Sequence, residues 1–361
     1  LSDVYDVFIA GGGPSGSALA RSLARAGLRT LLVERSSPGS GRVCGGFLGP
    51  ETASAFEALG LPPPPSAPLD TLVLSAPRVN AFERAIPGRA FGVRRDAFDA
   101  WLFASAREAG AETLESVSFS GAERDGGLFR VALAARKGER CVRARLVVVA
   151  TGRRPHAPGG AVSFGSKALY SGVEKIEGRI ALHFVRGGNV GLNPVGGGLT
   201  ALCFYVASSR LRETRGSLDA LVEAFARENP SLAAQLGAAR REGEWTSCQA
   251  EPDGRKILRS ETAVHAGDSV SMIHPLVGGG ISLALASGVL LAGSIRREGP
   301  GERAVRRYAA EWPRRFGPSF RWAGAVGRLR RSERLAALAL GLLRSCPAAL
   351  DPLVRRTRPS G

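Results

Sequence analysis

Lysine is nearly absent from this 361-residue chain: of 49 basic side chains only Lys137, Lys167, Lys175 and Lys256 are lysine, and arginine supplies the rest. Against 32 acidic residues the formal charge is +17, which raises nucleic acid as a partner only if the charge is clustered on a binding face. After residue 295 there are 16 arginines and five acids, leaving the first 295 residues mildly basic at +6. The excess is a property of the C-terminal segment, and no nucleic-acid partner is expected. Cysteine is sparse and unpaired: Cys44, Cys141, Cys203, Cys248 and Cys346 are odd in number, widely spaced and free of any C-x-x-C. That excludes a disulfide framework and a zinc site, and it points to a reducing compartment. The four histidines offer no H-x-x-x-H pair, so no protein metal site is expected. Long apolar runs are missing too. The stretches 281–295 and 335–343 are interrupted and fall short of the ~20 residues that cross a bilayer, and residues 1–10 have no basic start of a secretory signal. A soluble cytoplasmic protein is the expectation.

What is present is a globular composition, 44% hydrophobic and 22% charged, long enough for two domains. Residues 4–10 form a short apolar run that meets Gly-Gly-Gly-Pro-Ser-Gly; helical spacing over 17–26 stops at Gly27, and a second strand follows at 28–34. This is a β-α-β unit. A helix is predicted over 51–59, ended by Gly60, then an extended proline connection over 62–65. Strands follow at 71–75 and 81–86, a helix at 96–109, and a fully apolar strand at 145–150 of the kind buried in parallel sheets. From 162 to 245 glycine-rich turns separate strands at 180–185 and 200–206 and a helix at 218–227, the texture of an antiparallel lobe. The parallel texture returns with a strand at 262–266 and a helix after Gly280.

Two motifs carry chemistry. Gly11-x-Gly13-x-x-Gly16 opens the first helix, and Glu34 ends the next strand. Gly11 permits the tight turn, Gly13 a close approach to a pyrophosphate, Gly16 close packing of helix on strand, and Glu34 can accept from an adenosine ribose. Late in the chain, Ala266-Gly267-Asp268 ends a strand and His274-Pro275-Leu276-Val277-Gly278-Gly279-Gly280 leads into a helix. A helix N-terminus there suits negative charge on a bound group.

These segments, with Gly41-Arg42-Val43-Cys44-Gly45-Gly46 and the run that starts Gly191-Leu-Asn-Pro, resemble the geranylgeranyl reductase and aromatic hydroxylase group of flavoproteins. The resemblance implies an α/β (α+β) protein: a Rossmann-like FAD-binding domain of the glutathione-reductase superfamily, an inserted, mostly antiparallel substrate lobe and C-terminal helices. The FAD domain is expected to be discontinuous, over 1–75, 94–160 and 255–300, with the lobe over 76–93 and 161–254 and the helical segment over 301–361. FAD is the implied cofactor and NAD(P)H the transient donor. The implied FAD contacts are Gly11, Gly13, Pro14, Ser15 and Gly16; Glu34, Arg35, Arg42, Cys44, Gly45 and Arg95; Ala150, Thr151 and Gly152; and Gly267, Asp268, Pro275, Gly278, Gly279, Gly280 and Ile281. Cys44 is expected near the isoalloxazine, either packed beneath it or as a redox or substrate contact. His274 is expected to face the flavin, where it could orient or deprotonate a phenol.

The leading expectation is an FAD-dependent monooxygenase that hydroxylates a small aromatic or polyketide-like metabolite through a flavin C4a-hydroperoxide. The alternatives are a C=C reductase of the geranylgeranyl reductase type and a non-catalytic or electron-relaying flavoprotein. Where hydroxylases carry an Asp-Gly pair after the third strand, this chain has Ala150-Thr151-Gly152. The W-x-W-x-I-P motif of flavin halogenases is absent, as is any lysine before Lys137. The Tyr/Trp pattern of prenyl reductases is missing around Gly191. The basic C-terminal helices would suit an anionic membrane or an acidic carrier protein.

Overall fold

The computed structural model describes residues 4–136, 138–153, 163–249, 256–328 and 332–346. Its first sheet has seven strands. β1 (Val4–Ala10) lies at the centre, parallel to β2 (Thr30–Glu34) on one side and to β9 (Gly138–Val149) on the other. β6 (Glu112–Glu115) extends the parallel sheet beyond β2, and β15 (Val264–His265) runs parallel beside β9. β7 (Val117–Asp125) and β8 (Leu128–Ala135) form an antiparallel meander that feeds into β9. The continuous apolar character of β1 and β2 follows from cover on both faces. Val7, Ile9 and Leu32 pack under α1 (Pro14–Ala24), α3 (Arg95–Glu108) and α7 (Gly280–Glu298), whereas Phe8, Leu31 and Val33 pack with Val131 and Leu133 of the meander. β6 and β7 carry mixed polar sequence that is mostly half-buried or exposed, so hydrophobic periodicity did not mark them, and the apolar run of β8 was not read as a strand either.

The second sheet has eight strands in the order β14-β10-β13-β12-β11-β4-β5-β3. They are β3 (Phe47–Leu48), β4 (Ala67–Ala76), β5 (Val79–Gly92), β10 (Ser163–Ser171), β11 (Arg179–Val185), β12 (Gly188–Gly196), β13 (Leu199–Ala207) and β14 (Arg240–Gln249). All pairings are antiparallel except β11 with β4. The expected strands at 71–75 and 81–86 are thus the middles of longer ones. Because β4 starts at Ala67 and pairs only within this sheet, residues 67–75 fall in the lobe rather than in the FAD domain to which 1–75 was assigned. The boundaries expected near 160 and 254 lie outside the described residues. α4 (Ser208–Glu213) follows β13, and α5 (Leu218–Glu228) and α6 (Pro230–Leu236) cover one face through Leu221, Phe225 and Leu232 against Val190, Phe204 and Val206.

α2 (Thr52–Leu59) packs Phe56 and Leu59 against Ile281 and Leu285 of α7, and it ends as expected at Gly60, which takes φ +61°. α8 (Glu302–Gly327) lies on α7 through Tyr308, Trp312 and Phe316. α9 (Glu333–Ser345) then crosses to the second sheet, where Ala336 and Leu340 pack with Leu74, Phe82 and Phe184. Arg84 of β5 donates from Nη2 to the carbonyls of Leu343 and Arg344, at 3.2 and 3.0 Å, and so caps the end of α9. The C-terminal helices therefore bridge both layers instead of only covering the FAD domain. Residues 329–331, with the basic Arg330 and Arg331, and the stretch 347–361 lie outside the described residues.

Candidate active site

The C-terminal end of β1 turns at Gly11, whose φ of +107° and proximity to Ala150 admit no side chain: an added Cβ would lie 2.4 Å from the Ala150 carbonyl oxygen. The helix starts at Pro14, three residues earlier than periodicity suggested, because proline at the first position needs no amide partner. At Gly16 a Cβ would meet the Gly11 carbonyl oxygen, so this glycine is what brings helix and strand together. Gly13, in contrast, faces open space, with nothing within 4 Å of an added Cβ, and no side chain caps the first turn of α1. Backbone N–H groups at an uncapped helix start favour an anion.

Glu34 is 3% exposed and accepts from the Gly12 amide at 2.8 Å, from Ser36, and from Arg42 at 3.4 Å. Its first task is thus to hold the glycine turn in shape. Arg35 points outward as an exposed residue away from the cavity.

A second uncapped helix start, that of α7 at Gly280, converges on the same space. It is fixed by a short-range weave. The Gly267 amide donates to Ser287 Oγ at 3.0 Å, Ser269 Oγ bonds both the amide and the carbonyl of Gly152, and Gly288 of α7 sits where a Cβ would come within 2.4 Å of the Ser15 carbonyl oxygen. Asp268 lines the cavity, and its buried Oδ1 has no hydrogen-bond partner. Burial pushes its carboxyl up to about 6, although Arg153, Arg95 and Arg42 pull the other way. Arg95 is held by a bidentate pair to the fully buried Asp99, at 2.9 and 2.7 Å. Burial works against its cation, but Asp99 and the Cys44 sulfur outweigh it and hold the guanidinium above its ordinary value.

One cavity of about 790 Å³ joins these groups. Of the expected contacts it takes in Gly13, Pro14, Ser15, Arg42, Cys44, Gly45 and Arg95, together with Ala150, Thr151, Gly152, Asp268, Pro275, Gly278, Gly280 and Ile281. Gly11, Gly16, Gly267 and Gly279 shape it without lining it. His274 is a correction: its Nδ1 accepts from the Leu276 amide at 3.3 Å, and its ring meets Tyr205 edge-on at 5.5 Å and lies flush against Gly327 of α8. The ring is packed towards α8 and does not line the cavity.

Sequence reading also missed Cys203 and Cys248, which share the cavity wall with Cys44 although 159 and 204 positions away. Burial pushes the Cys203 thiol up to about 12. Asn193, in the run that starts at Gly191, stands on β12; its Nδ2 donates to the Gly45 carbonyl at 2.7 Å while its buried Oδ1 remains without a partner. No linear signal tied these residues together, because the second sheet alone brings them to the glycine loop.

Residues 4–158 match the family model described as FAD binding domain. Digeranylgeranylglycerophospholipid reductase 2 of Methanopyrus kandleri is 26% identical over 94% of this chain and 90% of its own length. Geranylgeranyl diphosphate reductase of Rhodobacter capsulatus is 34% identical over a shorter stretch, 34% of this chain and 30% of its own. The chain is an FAD-dependent oxidoreductase. In fold, this oxidoreductase is similar to a geranylgeranyl bacteriochlorophyll reductase-like protein from Thermoplasma acidophilum, with a TM-score of 0.78 at 19% identity over 92% of this chain and 90% of that one. It is equally similar to the flavin-dependent brominase Bmp2, at 0.81 and 19% over 98% and 93%. The donor set of the oxidoreductase suits FAD: two uncapped helix starts for the pyrophosphate and the flavin edge, an orphaned buried Ser15 Oγ and an orphaned Asp268 Oδ1 for hydroxyl or phosphate oxygens, and an open Gly13 for close approach.

Proposed function

We propose that this oxidoreductase adds hydrogen across carbon–carbon double bonds of a long apolar, prenyl-like chain. The observation that carries the reading is the far half of the cavity. Beyond Cys44 it continues as a gallery between the second sheet and the C-terminal helices, walled by Leu72, Leu182, Phe184, Leu192 and Val326 and roofed by Leu340 and Leu343 of α9. Such walls stabilise an apolar chain by burial, at about 25 cal/mol per Å², and offer little to orient a polar ring. The histidine that a phenol hydroxylase would have used for deprotonation is packed elsewhere. The two relatives named above as reductases of geranylgeranyl chains support the same reading.

Bound FAD, once reduced by NAD(P)H, would supply the hydride. Ser15, the start of α1, Asp268 and the start of α7 would hold it, with Arg42 near its negative groups. Cys44 lines the same cavity, and its thiol would pass a proton to the carbon opposite the hydride, so that one hydride and one proton saturate one bond. Arg95, locked by Asp99, places a fixed cation beside that sulfur and stabilises it once the proton has left. The aliphatic walls exclude water from the reacting bond.

The test is anaerobic: holoenzyme, NADPH or dithionite, and a lipid bearing geranylgeranyl chains, followed by mass spectrometry. A gain of two hydrogens per reduced bond is expected. A product that forms only with O2 and carries an added oxygen would overturn the reading in favour of hydroxylation.

A further inference from the structure

Helix α9 has two apolar faces, and only the inner one is covered. Ala336 and Leu340 are buried against the second sheet, and Ala339, Leu340 and Leu343 roof the gallery. On the outer side Leu335, Leu338 and Leu342 are 54, 65 and 70% exposed. Their spacing sets them in one stripe along the helix. Scattered exposed leucines are ordinary, but three in line within two turns form a patch that water penalises.

The sequence on either side of the stripe is basic. Between positions 314 and 344 there are eight arginines against Glu333 alone, and exposed Arg334 and Arg344 stand near the two ends of α9. At 1.5 Å per residue the helix is roughly 20 Å long, too short to cross a bilayer and suited to lying in its surface. Among the described residues, no helix is long and apolar enough to span a membrane.

We propose that the outer face of α9 docks on an anionic phospholipid bilayer, with Leu335, Leu338 and Leu342 among the acyl chains and the flanking arginines on headgroup phosphates. An acidic protein would satisfy the arginines but leave the leucine stripe without a reason. Docking would lay the roof of the gallery against the lipid. That consequence rests on the proposed reduction of an apolar chain, whereas the docking itself does not.

The test uses the holoenzyme without substrate, floated with vesicles of phosphatidylcholine alone or of phosphatidylcholine mixed with phosphatidylglycerol. Binding to the anionic vesicles is expected, weakened by salt. It should fall by roughly tenfold or more in the double variant Leu338→Glu/Leu342→Glu, with flavin absorbance and melting temperature unchanged because both positions are exposed. Arg334→Gln/Arg344→Gln should weaken binding and flatten its salt dependence. Equal flotation of the leucine variant, equal binding to neutral vesicles, or a dimer that the leucine variant abolishes in the absence of any vesicle binding would each overturn the proposal. No turnover is read, so failure of the double-bond reaction would leave this result standing on its own.

Discussion

Asp268 shows how a residue that lines a cavity can be costly to the protein that carries it. Its Oδ1 is buried without a partner, and its carboxyl is pushed up to about 6, above the ordinary 3.8. A raised acid costs stability as pH climbs from the unfolded value through the folded one, and the full cost is present above about 6. Asp268→Asn should therefore melt higher than the wild type as apoprotein at pH 8, with the gap closing towards pH 4, while its FAD dissociation constant rises roughly tenfold or more. Thermal melts at the two pH values and flavin-fluorescence titration read both effects; an apoprotein destabilised at pH 8 would contradict the account. Cys44 and His274 separate in the same way. Cys44→Ala should cut turnover by about two orders of magnitude, with flavin content intact, if its thiol delivers the proton. His274→Ala should keep turnover within about twofold and lower stability by ~1–2 kcal/mol, since it loses a turn-capping bond and its packing on Tyr205 and Gly327.

At the scale of elements, the glycine loop, α1 and α7 act as one piece. The Gly16 and Gly288 contacts leave no room for a β-carbon, so Gly288→Val should force α1 and α7 apart and yield protein with little bound flavin, visible as loss of yellow colour on purification. The β-α-β unit was legible because its signals are local: a strand of apolar residues, glycines at fixed offsets, an acid at the end of the next strand. α2, α3 and α7 were equally legible from their apolar faces and glycine stops. Strands β6 to β8 were not, for β6 and β7 are largely polar and all three take their order from neighbouring strands: β6 from β2, β7 from β8 and β8 from β9. The edges of β4 and β5 were missed for a different reason: they carry Pro68, Pro87 and Gly88, which read as breakers, and they stay extended because each strand is the other's partner.

At the scale of the molecule, the second lobe carries a buried polar knot that joins its sheet to α6. His183 is fully buried, with Nδ1 2.7 Å from Ser75 Oγ and Nε2 2.7 Å from Gln235 Oε1, and Asn229 closes the set. Burial pushes the imidazole down to about 4 from its ordinary 6.5, only partly offset by Gln235. The unfolded chain therefore takes up a proton first, so stability is full above pH 6.5 and is lost as pH falls towards 4, by an amount on the order of 3 kcal/mol. Urea unfolding at pH 7.5 and pH 5 should show this loss, and His183→Gln should flatten it. Such a knot could not be read from the sequence, since its four members are spread from Ser75 to Gln235. The same holds for the site. By itself the sequence determined that the cofactor is FAD and that a glycine turn opens the first helix, because a phosphate needs only backbone amides that a single strand–turn–helix supplies. The tertiary structure decided what stands opposite: it brought Cys203 and Asn193 from separate strands to the loop that carries Cys44, turned His274 into a packing residue and drew α9 over an apolar gallery, since a cavity wall is built by elements that meet only after the second sheet has formed.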